Sequence, residues 1–241
     1  MLTTWLFAPA NRARHVEKAL VSDADVAVLD LEDGCPEAEK PAARVSAREA
    51  VARGRVGLLH VRVNCVSSGL LEADLEAVVG LGLDGVILPK AESAAEVAET
   101  DRIIGLIERR LGLTEGGIDL VPIIESALGL ANARPISGAC GRVRRLAFGP
   151  VDFALDLGLT VGPEEAELAP YRAALVLASR LEGLEAPLDG AGLFIADEAG
   201  MVRSAVRSRA MGFQGKLCVH PRQLAPVMAA FTPSPTGSPG V

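Results

Sequence analysis

Two carboxylates, Glu125 and Asp152, are the side chains best placed to do chemistry in this sequence. Each stands at or just past the end of a predicted strand, and one helical segment separates them. A pair of acids, with water and substrate oxygens in the remaining positions, is how Mg²⁺ is commonly held, because it takes an octahedral shell of hard oxygens and keeps several of them exchangeable. Each acid alone also has an ordinary explanation. Asp152 could be the N-cap of a helix starting Phe153-Ala154-Leu155, and Glu125 could favour the N-terminus of a helix beginning near Ser126.

Asp30, Glu32 and Asp33 bring three more acids toward the same place, against the cations Arg62 and Lys90. Without a bound cation such a cluster repels itself or raises some of its pKa values. The competing explanation has Asp33 capping the helix after Pro36 and Glu32 pairing with Arg62 or Lys90. Arg62 offers a planar fork suited to a substrate carboxylate or an enolate oxygen. Lys90 reads as a structural ion pair rather than a Schiff-base lysine, since a metal site beside it makes that chemistry redundant. His220, before Pro221, is either a general base or a packed strand-end histidine. His60 reads as a satisfied core residue and His15 as a surface one. Cys35 or Cys65 could be a nucleophile, but reactivity needs an electropositive setting, and an ordinary thiol is the preferred reading of both. Gly-rich phosphate loops and G-x-S-x-G are absent, so dinucleotide, nucleotide and serine-hydrolase readings lose their usual support.

Positioning these groups falls to eight short apolar runs: Thr4 to Ala8, Val26 to Leu31, Leu58 to Asn64, Gly85 to Lys90, Leu120 to Glu125, Arg145 to Gly149, a weak one at Ala186 to Asp189, and Lys216 to His220. Helical patterns lie between them. From Glu165 to Glu182, Leu168, Tyr171, Leu175, Ala178 and Leu181 recur at three- and four-residue steps and predict one apolar face. Strand then helix, eight times over, predicts an α/β chain folded as a single (β/α)₈ TIM barrel, where catalytic groups gather at the C-terminal ends of the strands. Alternation puts His60, Arg62 and Asn64 on one face of the third strand and Leu59, Val61 and Val63 on the other, so Arg62 is expected to point into the barrel. The catalytic barrel is expected over residues 1–231 and a disordered, Pro- and Ser-rich tail over 232–241.

Composition narrows the partners. The chain has 241 residues, 49% hydrophobic and 23% charged, with only 3% aromatic, so its core must be built from Ala, Val, Leu and Ile, as in buried parallel strands. Its net charge of −7, with no run of Lys or Arg, argues against nucleic acid and for a small-molecule substrate. Four scattered cysteines without a C-x-x-C pair fit a cytoplasmic protein. The N-terminus reads as a strand rather than a signal peptide, and no stretch approaches about 18 uninterrupted apolar residues, so no membrane span is expected.

Several segments, in order, resemble the citrate lyase beta-subunit-like branch of the HpcH/HpaI aldolase/citrate lyase superfamily, which includes malyl-CoA and citramalyl-CoA lyases. They are Leu6-Phe-Ala-Pro-Ala-Asn-Arg12, Leu29-Asp-Leu-Glu-Asp33 with Glu39-Lys40 and Ala43-Arg44, Val61-Arg-Val-Asn64, Leu88-Pro-Lys90, Ile124-Glu-Ser-Ala-Leu-Gly129, Phe148-Gly-Pro-Val-Asp152 and Gly212-Phe-Gln-Gly-Lys-Leu-Cys-Val-His-Pro221. The resemblance implies a metal-dependent carbon–carbon lyase that splits a 3-hydroxy acyl-CoA into a short acyl-CoA and a 2-oxo acid, or runs the reverse condensation. It implies Mg²⁺ or Mn²⁺ on Glu125 and Asp152, Arg62 on the 2-oxo acid, Glu32 and Asp33 as catalytic groups near the metal's waters, Arg12 near the CoA phosphates, and Pro150 and Val151 against the substrate. It also implies a homotrimer or hexamer. Members of this branch commonly continue past the segment matching Phe231-Thr-Pro-Ser into a helical lid, which is expected to be truncated here. Two further readings follow from that: a CoA-independent 2-oxo acid aldolase, or a lidless 2-oxo acid-binding subunit that needs a partner protein.

Overall fold

The computed structural model describes residues 1–191 and 197–232. Eight parallel strands close on themselves in chain order. They are β1 (Thr4–Pro9), β2 (Val26–Asp30), β3 (Leu58–Arg62), β4 (Gly85–Leu88), β5 (Asp119–Ile124), β6 (Ala147–Phe148), β7 (Leu188–Asp189) and β8 (Gly215–Cys218), with β8 returning to pair with β1. Around them run α1 (Ala13–Leu20), α2 (Lys40–Arg53), α3 (Leu71–Val78), α4 (Ala94–Leu111), α5 (Ala127–Ala131), α6 (Ala133–Ser137), α7 (Pro150–Asp156), α8 (Ala169–Leu181), α9 (Glu198–Ala210) and α10 (Leu224–Phe231). This is the expected (β/α)₈ barrel, and no helix among the described residues is long and apolar enough to cross a membrane. The tail expected over 232–241 lies outside the described residues from 233 onward.

The alternation of strand side chains divides the core in two. Trp5, Val26, Val28, Ile87, Val121, Ile123 and Leu217 belong to one buried cluster, the barrel's filling. Leu6, Ala8, Leu29, Leu59, Val61, Val86, Leu120, Ile124 and Phe148 take the opposite parity and join the cluster that packs under the helices. Local signals agree with this frame. Ser93 and Glu96 form a capping box that starts α4, an arrangement that satisfies two otherwise orphaned N–H groups.

Several expectations need correction. Leu181 is 56% exposed rather than on a buried face, because α8 ends there, while Leu168, Leu175 and Ala178 are buried as expected. The sixth strand keeps only Ala147 and Phe148, since Pro150 already begins a helix. His60 is not a satisfied core residue. It is fully buried, neither ring nitrogen has a hydrogen-bond partner among the described residues, and the ring meets Trp5 edge-on with centroids 4.8 Å apart. Burial, reinforced by the charge of Arg145, pushes its pKa down to about 3 and keeps the imidazole neutral. The ring also lies where a side chain on β4 would go: a Cβ at Gly85 would sit 2.2 Å from its Nε2.

Candidate functional site

The strand ends after β2, β3, β4, β5 and β6 converge at one mouth. β2 and β3 are in register so that Asp30 lies beside Arg62. Asp30 accepts from Arg62 Nε and Nη2 at 2.7 Å each, and from the main-chain N–H groups of Glu32 at 2.9 Å and Gly34 at 2.8 Å. Burial works against the Asp30 charge, but Arg62 overrides it and holds the carboxyl below its ordinary range. The same pairing with Asp30, then Glu32, keeps the buried guanidinium firmly charged. Phe7 lies beneath it, 5.2 Å from ring centroid to guanidinium carbon, a face that favours a cation. Arg62 is thus held rigidly, with its edge on the cavity.

Glu32 follows on a turn that is itself tied down. Lys40 of α2 donates to the carbonyls of Leu31 at 3.2 Å and Glu32 at 3.5 Å and to Asn64 Oδ1, and Asn64 donates to Leu31 O at 3.0 Å and Asp74 Oδ2 at 2.6 Å. Arg44 closes the network on Asp74 at 2.6 Å. Glu32 pairs with both Lys90 and Arg62, as the ordinary explanation required, but Asp33 caps nothing. It is exposed and, among the described residues, pairs only with Lys90, at 3.5 Å. Arg62 Nη1 lies 2.9 Å from Glu32 Oε2 without hydrogen-bond alignment, so that buried oxygen is ion-paired but has no hydrogen-bond partner among the described residues. Burial, more than the neighbouring cations can offset, raises the Glu32 pKa.

Glu125 stands just beyond β5, 5% exposed. Its Oε1 accepts the main-chain N–H of Lys90 at 2.7 Å. Its Oε2 lies so close to the next strand's end that a Cβ at residue 149 would sit 2.3 Å away, which explains the glycine there. Burial, then the charges of Glu32 and Asp152, push its pKa up to about 8. Asp152 is the third residue of α7, whose N-cap is Gly149, so the capping role open to Asp152 is not what it performs. The next helix begins where expected, and Ser126 caps it by accepting from Gly129 N–H at 3.1 Å.

Arg62, Glu125, Pro150, Val151 and Asp152 line one cavity of about 120 Å³ together with Phe7, Ile123, Phe148, Leu217 and Val219. Five of the site residues expected from sequence are thereby brought together. Glu32 sits behind Arg62, Asp33 on the rim, and Arg12 at the exposed N-cap of α1, outside this lining. His220 is exposed, lies outside this lining, and caps a short turn by accepting Arg222 N–H at 3.1 Å. Cys35 is buried, hydrogen-bonded to Asp30 O, and its thiol is pushed up by burial. Sequence reasoning missed Phe7, whose inward parity on β1 was legible, and Gly149, whose close approach was not.

A buried acid, Glu125, repelled by Glu32 and by the neighbouring carboxylate Asp152, suits a small hard cation. Among the described residues no cluster of three or more His, Cys, Asp and Glu is disposed to hold a metal. Two carboxylates leave most of a cation's positions to water and substrate oxygens, the pattern Mg²⁺ favours.

A closed (β/α)₈ barrel with acids and an anchored arginine at the strands' C-terminal mouth defines an enzyme site. The profile of the HpcH/HpaI aldolase/citrate lyase family matches residues 3–221. The citrate lyase subunit beta of Leuconostoc mesenteroides is 33% identical over 233 residues, covering 96% of this chain and 77% of that protein. The mitochondrial citramalyl-CoA lyase of Rattus norvegicus is 32% identical over 244 residues, 95% of this chain and 71% of its own. Among solved structures, the CitE protein of Mycobacterium tuberculosis in complex with magnesium, acetoacetate and coenzyme A superposes with a TM-score of 0.79 at 33% identity, over 97% of this chain and 82% of that one. The chain belongs to the HpcH/HpaI aldolase/citrate lyase family, and its class is that of the carbon–carbon lyases.

Proposed function

We propose that the chain is a Mg²⁺-dependent lyase that cleaves, or forms, a 3-hydroxy acyl-CoA such as malyl-, citramalyl- or citryl-CoA, with a short acyl-CoA and a 2-oxo acid as the other side of the reaction. One observation carries the reading: Glu125 is buried with one oxygen fixed by the Lys90 amide, and it shares a cavity with Asp152 and the anchored Arg62. Glu125 and Asp152 are the residues that would hold the metal, with Mn²⁺ able to use the same oxygens. When bound, the cation would supply Lewis-acid polarisation of the hydroxyl or keto oxygen on the carbon whose C–C bond breaks or forms. Relatives named as lyases of citramalyl-CoA and a solved relative holding magnesium and coenzyme A support the assignment.

The chain's own residues do the rest. Arg62 binds the carboxylate of the 2-oxo acid portion or offsets charge developing on the enolate oxygen, and its pairing with Asp30 means that it need not reorganise as that charge appears. Phe7, Ile123, Phe148, Leu217 and Val219 make much of the remaining wall apolar. Pro150 and Val151 contact the substrate at the start of α7. Four unpaired thiols support a reducing, cytoplasmic setting.

The test is Mg²⁺-dependent release of products from malyl-, citramalyl- and citryl-CoA, with EDTA and Glu125→Gln as controls. Cleavage abolished by both controls is the expected result and names the substrate. Silence across the thioesters with turnover of free 4-hydroxy-2-oxo acids would instead establish a CoA-independent aldolase. Tight Mg²⁺-dependent 2-oxo acid binding with no turnover until another protein is added would establish a binding subunit.

A further inference from the structure

Lys90 carries two features that the proposed chemistry leaves unused. It is one of two non-glycine residues with a positive φ among the described residues, at 50°, a backbone conformation that penalises any residue with a Cβ. That conformation follows the end of β4, next to the Glu125 carboxylate that accepts its N–H at 2.7 Å. Its ammonium goes elsewhere. It pairs with Glu32 and lies 3.5 Å from Asp33, while Glu32 is also held by Arg62 from the other side. A lysine serving only as a surface ion pair would need neither the strained backbone nor a buried partner. Glu32, with a side chain 5% exposed, is such a partner.

We propose that Lys90 is a positioning residue that sorts the carboxylates of the mouth: its amide fixes Glu125 so that Oε2 is left for a cation, and its ammonium holds Glu32 away from that cation. The proposal rests on the reading of Glu125 and Asp152 as Mg²⁺ ligands. It has an unusual consequence, because the ammonium acts oppositely on the two charges the site must bind. Removing it leaves a carboxylate charge unmatched, which strengthens attraction for a divalent cation and weakens it for an anionic 2-oxo acid. A purely structural lysine would weaken both when removed.

The experiment is calorimetric titration of MgCl₂ alone into wild type, Lys90→Met, Lys90→Gln, Lys90→Arg and Glu125→Gln, followed by pyruvate at saturating Mg²⁺. In folded Lys90→Met and Lys90→Gln, Mg²⁺ should bind about fivefold or more tighter and pyruvate about tenfold weaker, with Lys90→Arg restoring both. Unchanged or weaker Mg²⁺ binding in both neutral variants overturns the assignment to Lys90 while leaving the metal site standing. Wild-type protein that binds Mg²⁺ no better than Glu125→Gln overturns the metal site itself, and with it this inference.

Discussion

Glu125 is where burial and charge conflict most sharply, and two substitutions isolate that conflict. An alanine at 149 would place its Cβ 2.3 Å from Oε2, although the backbone there, with φ −103°, tolerates a side chain. Because that Cβ would also sit 2.6 Å from Glu125 Cβ, Gly149→Ala should displace the acid and strain the packing of the β5 and β6 ends, weakening Mg²⁺ binding about 10–100-fold and lowering the denaturation midpoint. Glu125→Gln tests the same acid through stability. Its folded pKa of about 8 lies above the ordinary 4.5, so the metal-free protein binds the extra proton when folded. Stability from this group is fully present below 4.5 and is lost as pH rises through about 8. In EDTA, the neutral amide should then be more stable than wild type by on the order of a few kcal/mol at about pH 8, converging with it in acid. Chemical denaturation across that range checks the sign, and a variant less stable than wild type at high pH would contradict it.

Strands and their ends were the most legible part of the sequence, because buried parallel strands are continuous apolar runs and barrel geometry sends every second residue inward. That parity placed Arg62 inside, beside Asp30 in register, and strand ends located Glu125 and Asp152. What stayed hidden depended on backbone geometry. Nothing in Leu88-Pro89-Lys90 announces a left-handed lysine, and the start of α7 at Pro150 rather than Phe153 moved Asp152 from a cap to the first helical turn. The seventh strand read as weak and is only Leu188–Asp189, too short to hold its place by pairing alone. Its anchor is Asp189, which is buried, accepts from Lys216 Nζ and Arg172 Nε at 2.9 Å each, and also accepts from Ser208 of α9. Burial opposes that charge, but Lys216 and Arg172 hold its pKa down to about 2. Asp189→Ala leaves two buried cations without their shared acid and should cost about 3–5 kcal/mol in urea unfolding. A cost under about 1 kcal/mol would show that the strand is held by something else.

At the scale of the whole barrel, His60 sets an acid limit from inside. Its folded pKa of about 3 lies below the ordinary 6.5, so its contribution to stability is present above 6.5 and is lost as pH falls toward 3. The slope is about 1.4 kcal/mol per pH unit within that window. Between 4.5 and 6.5 it runs opposite to that of Glu125, so the two are separated by difference. A His60→Leu variant should lose the acid-side slope while Glu125→Gln keeps it, as read from denaturation midpoints; an unchanged slope in His60→Leu would assign the acid sensitivity to other groups. The contact between that ring and Gly85 reaches beyond stability into descent. A Cβ at position 85 would sit 2.2 Å from the imidazole, so a side chain there requires the ring to move or position 60 to shrink, and a smaller residue at 60 opens the way for growth at 85. Homologues with a side chain at 85 should then carry a smaller residue at 60, and the pair should covary as register partners on neighbouring strands, although neither lines the cavity at the mouth.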